Sequence, residues 1–251
     1  TIFGTILSNH LYNFDHRVQK HARALTDATI TLHKEMTLKF LPSAIKFHYN
    51  FTMRDLTAVT RGLLNSRPKE YNNVAHLSRL WYHESMRVFS DRLISESEVT
   101  RCRDMIVNVG KRYIDDDPES ACEEPCTFTH FLTGDINVDL GTYISCDDSV
   151  KLKKEMDRRL ADYNENYAIM NLVLFDQAIR HVTRITRILM FPGGHALLVG
   201  LGGSGKQSLS KLAAFICKCE TIQISVTSEY STNDLKEDLK DMYRRTGQKP
   251  G

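Results

Sequence analysis

The sequence predicts a chain of mixed class, α/β plus all-α: a helical domain followed by the first part of a P-loop, parallel-sheet nucleotide-binding core. Three observations predict it. Apolar residues recur at helical spacing through residues 1–114. The stretch 115–150 then turns polar, with acids and prolines in its first part. Finally, Gly200-Leu-Gly-Gly-Ser-Gly-Lys-Gln-Ser208 stands between a short apolar run and an amphipathic helical pattern within 151–251.

The helical part reads in order. Ile2, Phe3, Ile6, Leu7 and Leu11 make one apolar face. A second helix is expected from about Arg17 to Leu41, stopped by Pro42. The aromatic run 46–51 is expected to be short and extended. Thr52 is placed to cap a helix through Asn65, with Arg54 and Asp55 in its first turn and Leu56, Val59, Leu63 and Leu64 on its buried side. A long helix is expected over about 74–94, around Leu77, Leu80, Trp81, Met86, Val88 and Phe89. Ser95 with Glu98 is a capping-box pair for a helix over about 96–113.

Residues 115–147 are expected to be a loop or linker between domains. The cluster Asp115-Asp116-Asp117-Pro118 with Glu123, Glu124 and Pro125 reads as a solvated turn rather than a cation site. Helical patterns resume at 148–166 and about 173–189.

The glycine run carries the chemistry. Gly200, four residues, then Gly205-Lys206 is the spacing of a phosphate-binding loop. Glycines let successive backbone N–H groups turn toward one anion. A helix beginning near Lys206 adds its positive end, and Lys206 adds a mobile cation for outer phosphates. Gly200, Gly202, Gly203, Ser204 and Gly205 are the candidate amide donors. The apolar runs 195–199 and 221–226 are expected to be buried parallel strands, and Leu209, Leu212, Ala213 and Ile216 give the intervening helix its buried side.

One position departs from the motif. Where a Ser or Thr hydroxyl would ligate magnesium stands Gln207, with a hydroxyl one place late at Ser208. Gln207 could ligate magnesium weakly or contact phosphate. Ser208 could bond the α-phosphate or simply sit on the helix face. ATP or ADP is the candidate ligand, with Mg2+ as a candidate companion. No apolar run ending in an acidic pair follows Lys206, so no catalytic residue is assigned and hydrolysis by this chain alone is not expected.

Composition narrows the partners. Of the 251 residues 25% are charged and 41% hydrophobic, and the net charge of +2 gives no case for nucleic acid or an acidic membrane. No apolar run is long enough to span a bilayer. Six cysteines, at 102, 122, 126, 146, 217 and 219, form no CxxC pair and read as reduced thiols, so no metal site is assigned. The chain opens without Met and closes on Lys-Pro-Gly, which reads as a piece of a longer protein.

The run 193–216, Gly-Gly-His-Ala-Leu-Leu-Val-Gly-Leu-Gly-Gly-Ser-Gly-Lys-Gln-Ser-Leu-Ser-Lys-Leu-Ala-Ala-Phe-Ile, resembles the P-loop of the fourth AAA+ module in axonemal dynein heavy chains. Met-Asn-Leu-Val-Leu-Phe at 170–175 resembles the segment ahead of that module. Residues 81–93 and 47–56 resemble the helical lid of the third module, the latter segment carrying its phosphate-sensing arginine. The similarity covers most of the chain and is weakest at 115–150.

The resemblance implies a helical AAA+ lid at 1–114, an inter-module linker at 115–150, and the start of the next AAA+ core at 151–251. It implies a ring motor acting on microtubules in cilia or flagella, located in the cytoplasm and cytoskeleton at the axoneme. Its partners would be the remaining AAA+ modules of the same chain, the microtubule, and intermediate and light chains. The third and fourth modules would be regulatory. Val173 and Leu174 would pack on adenine, plain core being the other reading. Arg54 would be the lid arginine facing the preceding module's γ-phosphate, the other reading being an exposed arginine disfavoured by the helix dipole. His83 and Glu84 read as structural, and Arg184 and Arg187 as a solvated face or an inter-module contact. The rival functions are a static, non-catalytic nucleotide-holding module and an unrelated P-loop ATPase.

Overall fold

The computed structural model describes residues 2–114, 121, 123, 126–132 and 141–248. Helix α1 (Ile2–His10) runs into a 3-10 turn, Leu11–Asn13, and buries Leu7 and Leu11. Asp15 caps α2 (His16–Lys20) by accepting the Arg17 N–H at 2.8 Å. The chain bends at His21 and continues as α3 (Ala22–Lys39). The continuous helix expected from Arg17 to Leu41 is therefore two helices. The His21 ring bonds the Arg17 carbonyl at 2.8 Å, and the His21 N–H turns to Val18 instead. A side chain thus competes with the backbone ladder.

Thr52 caps α4 (Met53–Leu63) in a full capping box, with Asp55 accepting the Thr52 N–H at 2.7 Å. The segment ahead of it, 46–51, is irregular and contains a turn. Asn73 caps α5 (Val74–Ser85), which widens into a π turn, Met86–Ser90, and ends there rather than at 94. Ser95 caps α6 (Glu96–Tyr113), accepting from the Glu98 N–H at 3.2 Å.

The first core lies among these helices, around Leu25, Leu32, Met36, Leu63, Leu80, Trp81, Phe89 and Ile106. At its centre the Trp81 indole N–H donates to Thr29 Oγ1 at 2.9 Å, and that hydroxyl donates to the Leu25 carbonyl at 2.7 Å.

Strands β1 (Thr127–Thr129) and β2 (Ile144–Cys146) pair antiparallel, Phe128 opposite Ser145. They fall in the stretch read from sequence as loop. Three residues are too few for a period-two pattern, and their Thr and Ser content mimics a turn. Phe128 joins the first core and Cys146 the second. Of the acidic cluster, Asp115, Asp116, Asp117, Pro118, Glu124 and Pro125 lie outside the described residues, as does Cys122.

Helices α7 (Ser149–Asn166), α8 (Asp176–Leu189) and α9 (Lys206–Ile216) form the second core, with Met156, Val182, Ile185, Leu212, Ala213 and Ile216 at its centre. A polar helix, α10 (Thr232–Gln248), follows, to which the sequence reading assigned no element.

The expected parallel strands do not form. Residues 195–199 and 221–226 are irregular, and among the described residues the sheet is the two-stranded β1–β2 pair. Leu197 and Val199 are 90% and 88% exposed. A strand exists only through its neighbour's hydrogen bonds. An apolar run reports what a segment needs to cover it, and among the described residues 195–199 and 221–226 find little such cover, Leu198 packing against the second core while Leu197 and Val199 stay exposed.

A buried seam joins the two cores. The Glu84 carboxylate on α5 has no solvent exposure, and Arg187 of α8 grips it bidentately, Nε lying 3.0 and 3.2 Å from the two oxygens. The Tyr143 hydroxyl donates to Glu84 Oε1 at 2.8 Å, and the Tyr71 hydroxyl donates to the Tyr143 carbonyl at 2.6 Å. Burial pushes both phenols above their usual range, the Glu84 charge adding to it. Burial works against the Arg187 charge, but Glu84 outweighs it and holds the guanidinium firmly protonated. Gly62 makes room: a Cβ there would stand 1.9 Å from Glu84 Oε2. On the same side of α4, Arg61 donates to the Pro192 carbonyl at 3.3 Å and lies over the Phe191 ring.

Glu84→Ala is expected to lower the unfolding free energy of the chain by about 3–5 kcal/mol, because it strands a buried guanidinium. Glu84→Leu combined with Arg187→Met should recover much of that loss. Urea denaturation of the three proteins checks this, and a single-variant cost below about 1 kcal/mol would show the pair to be dispensable.

Candidate phosphate-binding loop

The loop begins where the seam ends. Phe191 and Pro192 lead through the turn at 191–193 into 195–199 and then the glycine run. Gly203 and Gly205 take φ of +76° and +78°, a region costly to any residue with a Cβ. Gly205 is the N-cap of α9, so Lys206 is its first helical residue. The first N–H groups of α9 have no partner inside the helix and point out of its positive end.

The Lys206 ammonium folds back over the loop. It donates to the Gly200 carbonyl at 2.7 Å, the Leu201 carbonyl at 2.6 Å and Ser204 Oγ at 3.1 Å. The cation and the helix N-terminus thus converge on one turn. Gly200, Gly202, Gly203, Ser204 and Gly205 lie in the loop around that turn, and Gln207 and Ser208 follow in the first turn of α9, Gln207 exposed and Ser208 half-buried.

Val173 and Leu174 part company. Leu174 is buried in the second core with Leu209 and Leu212, whereas Val173 is 78% exposed. Arg54 stands on the helical domain, exposed, in the first turn of α4. Its backbone is fixed from below: Asp55 pairs with Arg92, which also donates to the Asn50 carbonyl at 3.2 Å and covers the Phe51 ring. Arg61 lies about 10 Å along α4 from Arg54, so one helix spans from Arg54 to the turn before the loop.

His83 and Glu84 are buried structural groups, as read from sequence. Arg187 belongs to the seam rather than to a solvated face. Its partners were missed, although a Glu inside the apolar run 80–89 and a Gly inside α4 are both visible signals. His83 is held neutral by burial, with Arg87 and Arg187 adding to the effect, and its Nδ1 bonds the Cys126 carbonyl at 3.0 Å. His130 Nε2 lies 3.9 Å from Cys217 Sγ, but this is no nucleophilic pair. Burial pushes the thiol up to about 12 and, with the Arg159 charge adding to it, holds the imidazole down at about 4. Among the described residues no group of His, Cys, Asp and Glu could hold a metal, and no helix is long and apolar enough to cross a membrane.

Comparison with known proteins places both halves together. Residues 2–99 match the family described as "Dynein heavy chain, ATPase lid domain", and residues 170–251 match "P-loop containing dynein motor region D4". The chain is 43% identical over 251 residues to the dynein beta chain of the flagellar outer arm of Chlamydomonas reinhardtii, covering 99% of this chain and 6% of that one. It is 41% identical over 252 residues to a ciliary dynein beta chain of Tripneustes gratilla, and 40% identical over 252 residues to dynein axonemal heavy chain 11 of Sus scrofa, at the same coverages. The chain thus spans about 6% of the length of these relatives.

Gly205→Ala is expected to cost about 1–2 kcal/mol, since its φ is left-handed, whereas Gly202→Ala, with open space around it and no positive φ, should be near neutral. Thermal melts of the two variants check the contrast; equal costs would contradict the loop geometry. His130 adds a pH dependence. Its folded pKa of about 4 lies below the ordinary 6.5, so the unfolded chain binds the extra proton first. Its contribution to stability is complete above pH 6.5 and is lost as pH falls toward 4, by up to about 1.4 kcal/mol per unit. His130→Gln should flatten the stability–pH curve over that window, and an unchanged slope would refute it.

Proposed function

The chain belongs to the axonemal dynein heavy chains, and from that membership we propose that it is part of the ATP-driven microtubule motor of cilia and flagella, at the axoneme. In this reading residues 1–114 are the lid of the third AAA+ module, 115–150 connect modules, and 151–251 open the core of the fourth. The other ring modules, the microtubule, and intermediate and light chains are its partners. The 195–199 and 221–226 segments, irregular here, would pair as strands only with further parts of the longer chain.

The segment's own task is to bind ATP or ADP at 200–208 and to report its presence to the neighbouring lid. The observation that carries this is the convergence of the Lys206 ammonium and the α9 N-terminus on one left-handed glycine turn. In nucleotide binding the ammonium exchanges loop carbonyls for outer phosphate oxygens, and the loop amides take the inner ones. Val173, exposed beside the chain's entry to α8, is the adenine contact; buried Leu174 supports it from the core. Arg54 reaches the γ-phosphate of the preceding module. Its guanidinium is exposed at the positive end of α4, a position that favours an anion in front of it.

The residues fit a nucleotide better than they fit magnesium. Gln207 offers one amide oxygen in place of a hydroxyl, so the metal is held weakly and turnover suffers more than binding. Gln207 also favours a second reading, in which the loop holds nucleotide statically as a packing element.

The test uses the complete heavy chain. Lys206→Ala should remove about one bound nucleotide per chain and change microtubule release. Gln207→Thr should raise magnesium-dependent turnover severalfold while nucleotide affinity changes less. Unchanged nucleotide content in Lys206→Ala would overturn the site. Lost nucleotide with unchanged ATPase and microtubule release would leave the static reading in its place.

A further inference from the structure

Beside the seam lies a cluster of cations that is not balanced. Arg87, in the π turn after α5, and Arg184, on α8, share a single oxygen of Asp91, Arg87 Nη1 at 3.2 Å and Arg184 Nε at 3.5 Å. Arg180 stands one turn before Arg184 on α8, exposed, and His181 is next to it. Asp91 is the one carboxylate among the described residues that acts on Arg184, while Arg87 and Arg180 repel it. Arg87 and Arg184 therefore share one carboxylate, and the Arg180 guanidinium acts on the same cluster from one turn away.

The donors are short of acceptors as well. Arg87 Nε and Arg184 Nε are buried and, among the described residues, make no hydrogen bond. The side chains remain 17% and 35% exposed, so an outside group can reach them. Burial lowers the Arg184 pKa, yet a guanidinium does not give up its proton near neutral pH. The surplus leaves the cluster open to an anion. The contrast with Arg187, three residues on, is direct: that arginine has a carboxylate of its own, and its Nε and Nη2 are both bonded to it.

We propose that Arg87, Arg180 and Arg184 form a binding site for inorganic phosphate at the junction of the helical domain with α8. Phosphate near neutral pH carries between one and two charges, which matches a surplus of two better than one carboxylate does. Guanidinium groups whose Nε donors are not hydrogen-bonded, Arg184 Nε facing Asp91 only at ion-pair distance, suit tetrahedral oxyanions. The site lies against Glu84 and Arg187, so phosphate there would stiffen the same seam that leads to the loop. That link to the motor cycle rests on the function proposed above, whereas phosphate binding itself does not.

Equilibrium dialysis with labelled inorganic phosphate tests it on the complete heavy chain, stripped of nucleotide and carrying Lys206→Ala so that the 200–208 loop does not contribute. The expected result is one phosphate equivalent fewer, or affinity at least about tenfold weaker, in Arg184→Gln than in the parent. Arg180→Gln, at an exposed position that folding does not depend on, should weaken binding severalfold and keep the parent's melting temperature. Arg184→Lys should recover only part of the loss. Equal phosphate binding in the parent, Arg184→Gln and Arg180→Gln overturns the proposal. So does a parent whose cluster takes up no phosphate, which would mean that an acidic side chain of another segment fills it. Neither result bears on nucleotide at the loop, which is read separately from Lys206→Ala alone.

Discussion

A carboxylate shut away from water keeps its charge only if a cation is shut in with it, and Glu84 meets that condition through Arg187. The two come from different cores, so the condition is also a constraint on assembly. Helix α8 cannot leave the helical domain without exposing an ion pair that neither side can satisfy alone. Tyr143 ties the loop before β2 to the same carboxylate, and Tyr71 ties the segment before α5 to Tyr143. Gly62 is small because this carboxylate presses on α4. Four separate stretches of chain are thus held to one buried charge.

That constraint gives α4 its mechanical meaning. Its N-terminal turn is pinned by the Thr52–Asp55 capping box and the Asp55–Arg92 pair, and presents Arg54. Its C-terminal half is pinned by Gly62 on Glu84 and by Arg61 on Phe191 and Pro192. A helix fixed at both ends moves as a body. A displacement at Arg54 therefore arrives at the turn from which the chain enters the glycine loop, through hydrogen-bonded contacts rather than through a flexible connection. If nucleotide binds as proposed, such a helix is the kind of shared element whose position two sites could both bias.

Local chemistry was legible in the sequence and long-range pairing was not. The Thr52, Ser95 and Gly205 positions were readable because a cap is settled within three or four residues. Most helices followed from apolar spacing, whereas the polar α10 has no apolar stripe to announce it. The His21 break was hidden because it depends on one ring nitrogen choosing a carbonyl one turn back. The β1–β2 pair was hidden because its strands are short and polar and its partners lie 17 positions apart at Phe128 and Ser145. The 195–199 and 221–226 runs were read as strands from apolarity alone, and their pairing is not met among the described residues. At the loop the glycine spacing marked the turn, and two of its glycines, Gly203 and Gly205, take the left-handed φ that only glycine adopts cheaply. The sequence could not name the seam, because Glu84 and Arg187 are 103 residues apart and neither residue's neighbours announce the other.

Helix α8 shows how far position decides the role of one residue type. Arg180, Arg184 and Arg187 lie within little more than two turns of one helix. Arg187 is buried with a carboxylate and is structural. Arg184, one turn back, is mostly buried with a share of Asp91 and leaves its Nε unbonded. Arg180 reaches solvent. Moving toward the N-terminus of α8, the arginines pass from fully paired to half-paired to solvent-exposed. Where the pairing is complete the helix is locked to the lid. Where it is incomplete the same helix keeps charge for a ligand, so one element both fixes the junction and leaves it open to control.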